Sequence, residues 1–532
     1  MNTSPDSAQP PTSVLPAAET GSAETGAAGT APVGTPPSGS GTSTATSTAT
    51  APSGTDTARW SAPELRRLAA LIWPGQLLVV AGIVAANAQP QIAQHFHTTQ
   101  IAWFSLAFTL ATIAVTPFAV RLGETYGKRR VMLALAAAGL VGDVITVVAP
   151  TYPVMVAGRV IGGMYGPVAV LVLAAVRDLF PPRKVAVALG TVAGSVGVLS
   201  LLTPLLSGWL LDALGWRGAL WFLVGSTVAA MLLLLSVPET PRRAAAGKLD
   251  WPGAVLLGGG LALVVFALGQ GGDWGWSSTG FLLALAAGAV ALAAFAVWEL
   301  KVTTPILDLR MLRRRPVATV LIGSSVPQAA FFASQSILIF LALFPAIPHV
   351  SDGLGWTTTH NAVVGIPAGL ITFAAGVGVG HAVRKVSPRT VWYLGLALLA
   401  GGMVLAALYH RDAPQIVLTG VVMGLGGGIL MSGQQAMIVS VVSPEEQAAA
   451  NGMSSLLTQV FLTLASQMLY TVLAADATVV QGTAFYQDQA YTNAYLAMAA
   501  VVGLGLLVSL AIPRLRRPTG EAVSEAAAPA TA

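Results

Sequence analysis

The sequence predicts an all-α integral membrane protein of fourteen spanning helices, and three observations carry that expectation. First, 54% of the 532 residues are hydrophobic and only 9% are charged, against about 25% charged residues in a soluble domain. So few charges cannot cover a soluble fold of this length, whereas the outside of a membrane bundle is itself apolar. Second, the chain divides into fourteen apolar stretches, each near the ~20 residues that cross a bilayer. They run over about 68–90, 99–120, 130–149, 153–175, 186–210, 218–237, 252–270, 280–299, 317–345, 361–382, 390–409, 414–440, 448–474 and 492–513. Third, the basic residues alternate with these stretches.

That alternation fixes the orientation. With the N-terminus inside, every one of the 27 lysines and arginines except Arg159, Arg217 and Arg411 falls at a cytoplasmic level. Basic residues gather in cytoplasmic loops, so both termini are expected inside. One missed helix would put every later loop on the wrong side. The net charge of +5 and the pI near 9.6 therefore read as inner-loop charge, and no nucleic-acid partner is expected. Residues 1 to about 58 are Ser, Thr, Ala, Gly and Pro with no basic start and no apolar core, which reads as a disordered tail and not a secretory signal. The expected organisation is a tail over 1–64, a six-helix bundle over 65–240, an inserted two-helix hairpin with its loops over 241–315, a second six-helix bundle over 316–515 and a tail over 516–532.

Several chemistries are excluded. There is no cysteine, hence no disulfide, thiolate metal site or thiol nucleophile. The six histidines are scattered, with no metal-ligand spacing. No phosphate-binding loop is present; Gly426-Gly427-Gly428 lies in an apolar stretch and reads as packing or a hinge. Neither an enzyme nor a cofactor is expected.

The loop after the second stretch reads Arg121-Leu-Gly-Glu124-Thr-Tyr-Gly127-Lys128-Arg129-Arg130. A carboxylate beside a cation cluster at a helix end can pair in one conformation and release in another. The fourth stretch opens Ala157-Gly-Arg159-Val-Ile-Gly-Gly163, and Arg159 is the one basic residue well inside a helix. A buried guanidinium costs several kcal/mol unless paired. The fifth carries Gly190 and then Thr203-Pro204-Leu-Leu-Ser-Gly208-Trp209, and Leu214-Gly-Trp-Arg217 follows it. Together these segments resemble the signature loop, fourth-helix and antiporter motifs of the major facilitator superfamily, in its fourteen-helix drug:proton antiporter branch. Val237-Pro-Glu-Thr240, Leu249-Asp-Trp-Pro-Gly253, Pro305-Ile-Leu-Asp-Leu309, Ser443-Pro-Glu-Glu446 and Asn451-Gly452 extend the resemblance over roughly 65–515.

The resemblance implies two six-helix bundles joined by the hairpin, a gating loop at Glu124, Gly127, Lys128 and Arg129, and an antiporter motif at Gly190, Pro204 and Gly208. It implies export of hydrophobic or amphiphilic small molecules by proton antiport, with the proton gradient as the energy source, from a monomer in the cell's inner membrane. A dedicated exporter of one natural product or lipid, an uptake permease and a non-transporting receptor are the alternatives. One departure stands out: the family's first-helix acid falls on Ala81, nine residues before Pro90, with Asn87 and Gln89 as the nearby polar groups. The clearest intramembrane acid is instead Asp143 in the third stretch. At about 1.5 Å per residue it sits at a depth similar to Arg159, so the two are expected to form the titratable ion pair. Asn87, Gln89, Arg159 and Tyr165, with Gln328, Phe331, Phe332 and Gln335 at helical spacing in the ninth stretch, are expected to line the substrate cavity.

Overall fold

The computed structural model of the chain describes residues 60–241, 250–302, 305, 309–443 and 446–511. Most of both expected tails, the basic residues Arg242, Arg243 and Lys248, and parts of the Pro305-Ile-Leu-Asp-Leu309 and Ser443-Pro-Glu-Glu446 segments lie outside the described residues. The first helix, α1 (Ala62–Phe96), takes in residues assigned above to the tail, and a local cause is visible. Ser61 accepts from the Glu64 amide while the Glu64 carboxylate accepts from the Ser61 amide, with Pro63 in the first turn. This capping box starts the helix before its apolar run begins.

The rest of the first half is α2 (Ala102–Tyr126), α3 (Lys128–Val148), α4 (Tyr152–Gly162), α5 (Val168–Leu179) and α6 (Pro182–Leu235). A short 3-10 turn, Gly163–Tyr165, joins α4 and α5 into one span. The 54 residues of α6 are too many for one crossing of about 20 residues. Its continuity breaks at Gly215, whose φ of 68° is left-handed, between the fifth and sixth stretches read from the sequence. Among the described residues thirteen helical runs are long and apolar enough to span, and the break within α6 resolves them into fourteen crossings.

The hairpin is α7 (Trp251–Trp274) and α8 (Thr279–Lys301). The second half is α9 (Arg315–Leu343), α10 (Thr358–Lys385), α11 (Pro388–Leu408), α12 (Ala413–Val439), α13 (Gln447–Ala475) and α14 (Asp488–Leu510). Within the first half α1 packs on α6 and α5, and α3 on α4; within the second α9 packs on α13 and α14, and α12 on α10 and α11. The hairpin touches α2 through α7 on one side and α13 on the other. Leu232, Val255, Leu283, Val290 and Leu507 lie open on the outside, as suits a surface bathed in hydrocarbon chains.

Glycine decides how closely some helices meet. A Cβ on Gly142 of α3 would fall 2.2 Å from the Gly162 amide nitrogen, and one on Gly426 of α12 would fall 2.5 Å from the Leu399 amide nitrogen of α11. The Gly426–Gly428 run is thus close packing: Gly427 receives the Phe331 ring and Gly428 meets the Thr372 carbonyl. At the end away from the basic loops, two small antiparallel hairpins cover the second half, β1 (Ala346–Ile347) with β2 (Ser351–Asp352) and β3 (Ala477–Val480) with β4 (Thr483–Tyr486).

Candidate functional site

At the basic end, the loop Glu124–Arg130 is held by partners from distant sequence. Gly127 has a φ of 95°, and any Cβ there would lie 2.5 Å from Glu239 Oε1, so glycine is required twice over. The first amides of α3 have no acceptor of their own. Thr240 Oγ1 accepts from Lys128 N at 2.9 Å, Glu239 Oε1 from Arg129 N at 3.0 Å and Glu239 Oε2 from Arg130 N at 3.2 Å. A carboxylate at a helix N-terminus is favoured by the aligned peptide dipoles. The buried Lys128 ammonium pairs with Asp178 at the end of α5. Arg129 donates to the Leu234 and Leu235 carbonyls that end α6. Glu124 is half-exposed and reaches Arg121 at 3.5 Å.

Inside the first half, Arg159 is 2% exposed. Its Nε donates to the Phe104 carbonyl at 3.0 Å, its guanidinium lies 4.7 Å from the Phe104 ring and 4.3 Å from the Phe108 ring, and Nη1 has no hydrogen-bond partner. Tyr165 closes the other side of Phe108, edge-on at 5.5 Å, and presses on Gly139. Cation–π contact thus replaces part of the lost hydration. Asp143 is also buried, but it accepts from Thr227 Oγ1 at 3.2 Å and its Oδ1 faces Gly162. Asp143 and Arg159 lie within electrostatic reach of one another, but no direct hydrogen bond or ion pair joins them among the described residues. Each has found another partner in the same α2–α3–α4–α6 packing. Ala81 is buried in α1.

Of the residues expected around a cavity, Arg159, Tyr165, Asn87 and Gln89 are all buried in helix contacts. Asn87 donates to Ser207 Oγ at 3.2 Å, inside the antiporter motif. Gln89 donates to Ser105 Oγ at 2.5 Å and accepts from Tyr470 Oη at 2.7 Å. Phe331 fills the space over Gly427 and belongs to the core. Gln328, Phe332 and Gln335 differ: they follow one another at i, i+4 and i+7, and all three keep access. On one side of this strip Ser324 joins Gln434 of α12, and on the other Ser325 donates to the Ser454 carbonyl of α13. Gln434 also donates to Ser454 Oγ at 2.7 Å, so α9, α12 and α13 are tied together at one end of the accessible strip. In the antiporter motif, Gly208 meets the Thr359 backbone of α10, whereas nothing lies within 4 Å of a Cβ on Gly190; Pro204 sits within α6.

Between described residues, three hydrogen-bonded ties cross from one half to the other. They are Tyr470 to Gln89, Thr483 Oγ1 to the Ala93 carbonyl at 3.3 Å, and the Thr358 and Thr359 amides to the Asp212 carboxylate at 2.9 and 2.8 Å. All three lie towards the end away from the basic loops. The basic ends are held by pairs internal to each half: Lys128–Asp178 and Lys184–Glu64 in the first, Arg314–Glu446 in the second.

Comparison with known proteins decides what this architecture is. The family model described as Major Facilitator Superfamily matches residues 75–408 and 329–532. The chain belongs to the major facilitator superfamily. A probable actinorhodin transporter of Streptomyces coelicolor is 27% identical over 78% of this chain and 74% of its own length. A multidrug resistance protein B homolog of Mycobacterium tuberculosis is 30% identical over 71% of this chain and 70% of its own. Among solved structures, a POT family transporter in complex with 5-aminolevulinic acid superposes with a TM-score of 0.60 at 13% identity, covering 85% of this chain and 96% of that one. The human organic anion transporter MFSD10 gives 0.55 at 17% identity, covering 85% and 100%. At those identities the structures speak for the fold alone.

Within this superfamily member, Lys128, Arg129, Asn87 and Arg159 each meet a partner that the sequence motifs do not name. Asp178, Phe104 and Phe108 carried no signal of their own. Glu239 did: Val237-Pro-Glu-Thr240 stands out as a motif, and the pairing it makes with the loop 110 residues earlier is what the fold adds.

Proposed function

We propose that this chain is a secondary transporter that exports hydrophobic or amphiphilic small molecules by proton antiport, with its basic end in the cytoplasm and both termini inside. The carrying observation is the accessible Gln328–Phe332–Gln335 strip within a bundle tied shut at the end away from the basic loops. Mostly apolar walls with a few amides suit a substrate that partitions from the membrane and is oriented by one or two hydrogen bonds. Relatives named for multidrug efflux and antibiotic export support the direction: LfrA of Mycolicibacterium smegmatis is described as a multidrug efflux pump at 27% identity. The halves rock about the central site in alternating access.

Asp143 is the proton-coupling acid in this reading, and Arg159, with its unfilled Nη1, is the cation it approaches when the packing shifts. Asp143 is buried with a single hydroxyl partner, so its protonation state can bias the α3–α4–α6 packing. Substrate flux into everted membrane vesicles tests the whole reading. Accumulation should need an acid interior and collapse with an uncoupler, and Asp143→Asn should remove the gradient dependence. Flux indifferent to the gradient sinks antiport; coupled flux in Asp143→Asn relieves Asp143 of the role.

A narrower reading is favoured by two relatives whose names specify one compound, the actinorhodin protein and a tetracenomycin C resistance and export protein of Streptomyces glaucescens at 27% identity. This chain would then serve a single natural product. A panel of unrelated lipophilic cations and neutral antibiotics separates the two, since a dedicated exporter moves one chemotype.

A further inference from the structure

Asp212 lies at the end of the fifth crossing, before the Gly215 break, and no motif claims it. Its carboxylate faces the start of α10 in the other half. Oδ1 accepts from Thr358 N at 2.9 Å and Oδ2 from Thr359 N at 2.8 Å. Those are the first two amides of α10, which have no acceptor in their own helix. The α10 cap residue Thr357 serves the next one, His360 N, at 3.1 Å. Three amides are thus satisfied by two residues from different halves. Beside this contact the Gly208 backbone touches Thr359, so the two helices meet with no side chain between them.

The energetics single this tie out from the other two. The Gln89–Tyr470 and Thr483–Ala93 bonds join neutral partners. Asp212 makes a two-point contact between a charge and a helix terminus, and charge-assisted bonds are roughly twice as strong as neutral ones, reinforced here by the helix dipole. When the halves separate at this end, the α10 amides lose their acceptor and only water can replace it.

We propose that Asp212 is the latch residue of the outer gate, a positioning residue that holds the transporter closed on this side by capping a helix of the opposite half. The proposal uses the alternating access and orientation given above. Losing the cap shifts the population towards the outward-open form without altering the substrate strip.

The absence of cysteine from the sequence makes the test direct. Ala93→Cys places a thiol where the structure is 1% exposed, beneath the β3–β4 hairpin. Gln335→Cys places one on the accessible strip. Each is labelled with a membrane-impermeant maleimide, the first on intact cells and the second on everted vesicles. Asp212→Ala should raise the Ala93→Cys labelling rate about tenfold, the population change that about 1.4 kcal/mol gives, and should slow Gln335→Cys labelling. Thr358→Pro supplies an independent arm. It deletes the Thr358 amide and hydroxyl that face Asp212, at the first helical position, where proline is tolerated, and Thr357, at φ −69° and ψ 154°, already has the conformation that precedes a proline. It should act in the same direction, more weakly, and add little to Asp212→Ala. Faster labelling at both reporters means general loosening and overturns the latch; so does unchanged labelling at Ala93→Cys in folded protein. Faster Ala93→Cys labelling only from the inner face would uphold the latch and overturn the orientation, and with it the direction of export. The readout needs neither substrate nor gradient, so failure of antiport leaves it intact.

Discussion

Glu239 and Asp212 do the same chemistry in two places. Each is a carboxylate that caps a helix in trans, Glu239 on the first turn of α3 and Asp212 on the first turn of α10. Glu239 and its helix belong to the same half; Asp212 and its helix do not. The first cap is therefore part of the folded unit and persists through transport, while the second must be made and broken in every cycle. One local motif can serve as mortar or as a clasp, depending on which side of a moving boundary its partner lies.

The comparison predicts opposite phenotypes. The largest effect should come from within a half, at the glycine seam. Gly142→Ala puts a methyl 2.2 Å from backbone that cannot give way, and overpacking of this kind commonly costs 1–3 kcal/mol or more; well-folded protein should be lost on size exclusion. Next is Glu239→Ala, which leaves two α3 amides and the Thr240 amide without their acceptor. About 2 kcal/mol of stability should go, read as a lower melting temperature. Asp212→Ala should leave the melting temperature nearly unchanged while altering gate access, and equal melting losses for the two would erase the distinction. Tyr470→Phe, which removes only the neutral bond to Gln89, should shift gate access less than Asp212→Ala.

The smallest effect belongs to the exposed Arg314–Glu446 pair within the second half, at 2.9 Å. The Arg314 hydrogen bond holds the Glu446 carboxyl below its ordinary value of 4.5. A carboxyl lowered in the folded state contributes stability above its unfolded value and loses it as pH falls through the folded one. Glu446→Gln should therefore change the melting temperature slightly at neutral pH and not at all once the pH is well below 4.5. Transport should be unaffected.

The crossings were legible because bilayer thickness imposes a length that apolar runs either meet or miss, and because inner-loop cations supply an independent check. Even the long α6 agrees, since its break at Gly215 lies between two runs that the sequence already separates. The candidate site was legible one residue at a time. Gly127, Lys128 and Gly208 each make a close contact, but a motif names only one partner of it. Asp178 and Glu239 come from remote helix ends, and Phe104 and Phe108 look like any lipid-facing aromatic. The Asp143–Arg159 pair was argued from equal depth alone, and depth does not specify the azimuth around each helix axis; Thr227 and the Phe104 carbonyl stand nearer. Gln89 shows a different limit. It was read as a cavity residue only because it is polar in an apolar stretch, yet here it spans the halves to Tyr470, and polarity alone does not say which partner a side chain meets.

The β3–β4 hairpin has a pharmacological consequence. Its turn, at Gln481 and Gly482, rests on His97 at the end of α1, and Thr483 bonds the Ala93 carbonyl. In the proposed orientation such a flap faces the outside of the cell and is an epitope. An antibody fragment or cyclic peptide that gripped both the hairpin and the α1 terminus would staple the pump shut without entering the membrane or competing with its cargo. Resistance to such an inhibitor would have to arise on the flap itself, at positions remote from those that set what the pump carries.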